Sequence, residues 1–136
     1  MKHVLASAAL AFCALLQGCQ SGQTSLATPA QPGKSAALRN MEPIAIAAHR
    51  CWFASGDATF RDYSFANELD SHSGRPRFLI VPRSNYGGRP LLVVQAEGPQ
   101  GNVTVFGPML EQPVGARVQA DIARWRTGST DCGQAV

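Results

Sequence analysis

Four short apolar runs between Tyr63 and Phe106, divided by tight turns, limit what this chain can form. Tyr63, Phe65, Asn67 and Leu69 alternate with Ser64, Ala66, Glu68 and Asp70, the period of a half-buried strand. Ser71-His72-Ser73-Gly74 turns the chain. Phe78 to Val81 form a second strand, with Pro76 and Pro82 marking its ends or an edge. A loop from Arg83 to Arg89 holds Asn85, Tyr86 and paired glycines. Leu91 to Ala96 are apolar on both faces and are expected in the centre of the sheet. After the turn Gly98-Pro99-Gln100-Gly101-Asn102, Val103 to Phe106 form a fourth strand, stopped by Gly107-Pro108. Turns this tight permit only antiparallel pairing.

A helical period flanks this region on both sides. Asn40 is a plausible N-cap, with Glu42 and Pro43 in the first turn. Ile44, Ala47, Ala48, Cys51 and Trp52 then make one apolar stripe, and Ser55-Gly56-Asp57 ends it. Beyond Pro113, the residues Val114, Val118, Ile122 and Trp125 make a second stripe, with Gly128 as its stop. Trp52 and Trp125 belong to the core on this reading. Two amphipathic helices and one sheet need a shared apolar face. The expectation is an α+β fold, a four-stranded antiparallel sheet with two helices on one face, in the order helix, four strands, helix.

The N-terminus has the parts of an export signal: Lys2, an uncharged apolar run from Val4 to Leu16, and the small residue Gly18. The run is shorter than the roughly 20 residues a membrane span needs. Leu16-Gln17-Gly18-Cys19 resembles the lipobox of bacterial lipoproteins, with an aliphatic residue three before the cysteine and a small one directly before it. The resemblance implies cleavage before Cys19, a diacylglyceryl thioether on its sulfur and acylation of the new amino group. Several acyl chains, at about 0.8 kcal/mol per buried CH₂, hold a protein on a membrane. Gln20 stands where an aspartate would retain such a protein in the inner membrane, so the outer membrane is the expected destination. The chain divides into a signal peptide (1–18), a lipidated tether rich in Gln, Ser, Thr, Ala, Gly and Pro (19–40), and a single domain (41–136). Cys13 leaves with the signal. Cys51 and Cys132 remain, and in an exported domain they are expected to form one disulfide. Their spacing fits neither a zinc motif nor a CxxC redox motif.

From Met41 onward nine arginines balance nine carboxylates, so the domain has no basic surplus for nucleic acid. His49 lies off the first helical stripe and His72 lies in a turn. Ser71-His72-Ser73 are neighbours in a tight turn, a poor geometry for a nucleophile–base relay. Asp57, Asp62, Glu68 and Asp70 cluster about the first strand and read as a solvated face. No cofactor or metal is expected. Arg75, Arg77, Arg83 and Arg89 are the candidate anion-binding group, flanking the Ser84-Asn85-Tyr86-Gly87-Gly88 loop. The competing expectation pairs these arginines with Glu68, Asp70 and Glu97 across the sheet. The functional expectation is a non-catalytic, membrane-anchored envelope lipoprotein with a structural or partner-binding role. The alternative is a small module that binds an anionic envelope component, a lipid phosphate or a cell-wall carboxylate, through the arginine loop.

Overall fold

The first helix opens at Ser35, whose hydroxyl accepts a hydrogen bond from the Leu38 N–H at 3.1 Å. The computed structural model describes residues 33–133; the signal peptide, Cys19 and the tether up to residue 32 lie outside the described residues. Helix α1 spans Ala36–Ala48, so its first turn reaches into the expected tether and Pro43 sits inside it rather than at its start. Asn40 does not cap the helix. Its amide donates instead to the carbonyls of Gln100 (3.2 Å) and Gly101 (2.9 Å), tying α1 to the last turn of the sheet.

The chain continues without a break into a π-helical turn, His49–Ala54, closed by the Ser55 N–H donating to the Arg50 carbonyl. In this turn Cys51 and Trp52 face the core, while Phe53 lies 5.8 Å from Phe65 of the sheet. Gly56 takes φ 73° to leave the helix, and Asp57 caps a single 3-10 turn, Ala58–Phe60.

Four strands follow: β1 (Tyr63–Glu68), β2 (Arg77–Pro82), β3 (Leu92–Glu97) and β4 (Asn102–Phe106). They pair antiparallel in chain order, so β2 and β3 are interior and β1 and β4 are edges. Pro82 closes β2 at its end, which is why an interior strand tolerates it. Short 3-10 turns, Arg83–Asn85 and Pro108–Glu111, lie on either side of β3 and β4. Helix α2 spans Gly115–Arg126.

The register explains which face is covered. Phe65, Ile80 and Leu92 align across the sheet, as do Phe78, Val94 and Val105. This face joins Met41, Ile44, Ala48 and Trp52 from the first helical segment, and Val118, Ile122 and Trp125 from α2, in one core cluster. Both helices therefore lie on one face, as the two stripes predict. The opposite face carries a row of Ala66, Leu79, Val93 and Phe106. Beside it run Glu68, Arg77, Gln95 and Thr104. Cys51 and Cys132 are joined by a disulfide, with Cα atoms 5.3 Å apart. It fixes the segment after α2 to the π-helical turn.

Candidate functional site

The edge of the sheet next to the π-helical turn is open. In an antiparallel ladder, successive residues point their N–H and C=O groups alternately toward and away from the neighbouring strand. The Arg83 N–H donates to the Asp62 carbonyl (2.9 Å), and Ala96 to Pro76 (3.0 Å). With the β1–β2 register, this phase directs Ser64, Ala66 and Glu68 toward β2. Tyr63, Phe65 and Asn67 point their main-chain groups outward. Among the described residues, no main-chain group meets Phe65 or Asn67 on that side.

A groove of about 600 Å³ runs along this edge, between β1 and the helical segment. Its wall is Ala45, Ile46, His49 and Ala54, and its floor is Phe65, Asn67 and Leu69. Ile46 is 66 % exposed, although Met41 and Ile44 of the same helix are fully buried. The His49 and Phe65 rings meet in a T-shaped contact at 5.4 Å. Arg50 lines the rim, but its guanidinium donates to the Thr130 carbonyl. One end of the groove leads into a polar shelf of Asn67, Glu68, Asp70 and His72.

The four candidate arginines are not drawn into one pocket. Arg75 pairs with Glu97 at 3.1 Å and Arg77 with Glu68 at 2.5 Å, on opposite flanks of β2. Arg83 lines a small hollow with Trp52, Phe53, Asp57 and Phe60, and Arg89 is exposed. His49 and His72 are both exposed. Among the described residues no group of three or more His, Cys, Asp or Glu side chains could hold a metal.

One polar centre escaped the sequence reading. Asp121 is 1 % exposed within the helical layer. It accepts from the indole N–H of Trp52 at 2.8 Å and from the Arg124 guanidinium. Arg117 lies one turn before it, 3.7 Å from the same carboxylate, and donates to Asp57 at 2.5 Å. Asp57 thus leaves the solvated cluster expected of it. Burial pushes its carboxyl up, but Arg117 and the Thr59 N–H outweigh burial and hold it below the usual 3.8. The Arg117 guanidinium also covers the Phe60 ring at 5.4 Å, and that ring stacks on Trp52 at 4.9 Å. Arg117, Asp121 and Arg124 stand at helical spacing, so the pairing on α2 was readable. The reach of Arg117 to Asp57 was not, because it crosses between elements.

Arg117 and Arg124 balance Asp57 and Asp121 in this centre, although Nε and Nη1 of Arg117 are buried without a hydrogen-bond partner among the described residues. The open edge and its largely apolar groove are the candidate site. Comparison with protein-family models, curated proteins and solved structures finds no match for the chain.

Proposed function

We propose that this is a non-catalytic, lipid-anchored protein of the bacterial cell envelope, whose domain docks a partner protein in the groove beside β1. The observation that carries the docking role is an exposed Ile46 over a largely apolar groove, beside a strand edge with unpaired main chain. Exposed apolar surface of this kind marks interaction sites. The anchor rests on the Leu16-Gln17-Gly18-Cys19 sequence alone. Acylated Cys19 would hold the domain at the membrane, with the outer membrane as its destination because Gln20 follows the cysteine.

The two halves of the reading have separate tests. Mass spectrometry of the mature N-terminus should find an acylated cysteine at position 19, and Cys19→Ser should leave the detergent phase. An unmodified terminus elsewhere removes the anchor. For docking, a photo-crosslinking side chain at position 46 of the membrane-bound protein should give a discrete adduct. The same group at Ala123, exposed on α2, should not. Equal labelling from both positions removes the docking role.

A second reading assigns the domain to an anionic envelope component, a lipid phosphate or a cell-wall carboxylate. It is favoured by Arg83 and Arg89, which have no ion-pair partner among the described residues.

A further inference from the structure

We infer that the free edge of β1 accepts an extended peptide segment as a fifth strand, with apolar side chains at alternate positions and basic ones between. This rests on the docking reading and names the chemistry of the partner.

Three observations fix the class of occupant. The outward main-chain groups of Tyr63, Phe65 and Asn67 recur at every second residue, the spacing an extended chain matches and a helix does not. An added strand gains its affinity from those groups and its selectivity from pockets for alternate side chains. The inward-facing side chains of such a strand would enter the groove between Ile46, Phe65 and Leu69, whose surface is largely apolar and favours apolar groups. Its other side chains would lie beside the outward row of β1, which begins at Asp62 and ends at Glu68, with Asp70 just beyond. Asp62 and Asp70 are exposed and have no ion-pair partner among the described residues. Opposite charges directly across a strand pair are favourable and like charges are not.

The same charges argue against a second copy of this chain. Antiparallel self-pairing of β1 through its outward groups aligns Asp62 with Glu68 or Asp70 of the other copy, carboxylate against carboxylate. A basic, alternating segment meets no such penalty.

The test uses the full chain with its disulfide intact and a short acetylated peptide of alternating valine and lysine. Two control peptides replace lysine with glutamate, or N-methylate the amides on one edge. Hydrogen exchange is followed residue by residue. Binding should slow exchange at the Phe65 and Asn67 amides, which are free, and leave Ala66, already bonded to β2, unchanged. Added salt should weaken binding. N-methylation should weaken it by roughly tenfold or more, since it removes main-chain hydrogen bonds. Asn67→Pro deletes one outward N–H and leaves the β2 ladder intact, and Ile46→Glu places a carboxylate in the groove; each should weaken binding comparably. Because Ile46 is exposed on a helix, its variant keeps the test open if the proline variant does not fold.

Binding that survives N-methylation, or that leaves the Phe65 and Asn67 amides unprotected, overturns strand addition. Tighter binding of the valine–glutamate peptide overturns the charge assignment. A concentration-dependent dimer abolished by Asn67→Pro gives the edge to a second copy and overturns the proposal. If residue 46 crosslinks a partner while no peptide adds to β1, the docking reading stands and this inference fails. If neither occurs, both fail.

Discussion

The indole nitrogen of Trp52 donates to Oδ2 of Asp121 across the interface between the first helical segment and α2, at 2.8 Å. A buried carboxylate is tolerable here because Arg124 and Arg117 neutralise it and Trp52 satisfies a lone pair. Asp121→Ala should leave the Trp52 N–H and the Arg124 guanidinium without this acceptor, and should take from Arg117 its ion-pair neighbour on α2. The expected loss is about 3–5 kcal/mol in urea unfolding, the range for breaking one side of a buried pair. A loss below about 1 kcal/mol would show that the centre relaxes or hydrates.

Asp57 makes stability depend on acid. Burial pushes its folded-state pKa up, but Arg117 and Thr59 outweigh burial and hold it below 3.8. A depressed carboxyl stabilises the fold fully at pH above its unfolded value, and this contribution drains as pH falls through the folded value. Wild type should therefore lose melting temperature as the pH falls below about 4. Asp57→Asn should be less stable than wild type at neutral pH, and the gap should narrow as acid is added. A gap independent of pH between neutrality and acid would refute the linkage.

Reduction should destabilise the domain. The Cys51–Cys132 bridge closes a separation of 81 residues. On the chain-entropy view its removal should cost about 2–5 kcal/mol. Non-reducing peptide mapping should join the two cysteines. Cys51→Ala with Cys132→Ala should melt lower, and adding reductant should shift wild type but not the double variant. Two free thiols in oxidised protein would contradict the assignment.

Arg83 and Arg89 offer a contrast with their neighbours. Arg75 and Arg77 each have a carboxylate, but their pairs are about half exposed and worth only about 0–1 kcal/mol each. Replacing Arg83 and Arg89 together with alanine should barely move the melt if they serve a ligand. Co-sedimentation with anionic lipid vesicles or cell-wall fragments should then fall, and wild-type binding should weaken with salt. A lowered melt with unchanged sedimentation would return both arginines to the scaffold.

Much of the architecture was legible because turn chemistry and period agreed. The glycine turns around residues 74 and 98 dictate antiparallel neighbours, and the two apolar stripes dictate one covered face. The helix start was misread because Ser35 and Asn40 are both good caps. Local sequence cannot see that Asn40 is engaged by carbonyls of the β3–β4 turn. The π-helical turn left no trace either, since its stripe through Cys51 and Trp52 also fits an ordinary helix. The candidate groove was legible only in fragments. Phe65 and Leu69 announced an inward strand face, but the exposure of Ile46 beside them depends on how α1 crosses the sheet. Asp57 read as surface charge for the same reason: its partner Arg117 is brought to it by the fold.

Because helix α1 begins right after Ser35, the stretch between Cys19 and the fold is shorter than the 19–40 segment that composition suggests. From Cys19 to Ser35 is sixteen residue steps, a maximum reach of about 55 Å at full extension. A lipid on Cys19 would make that distance a leash. The domain could sample a shallow hemisphere over the bilayer and nothing beyond it. Any strand offered to the edge of β1 would have to be presented within that radius, by a partner that is itself at or near the membrane surface.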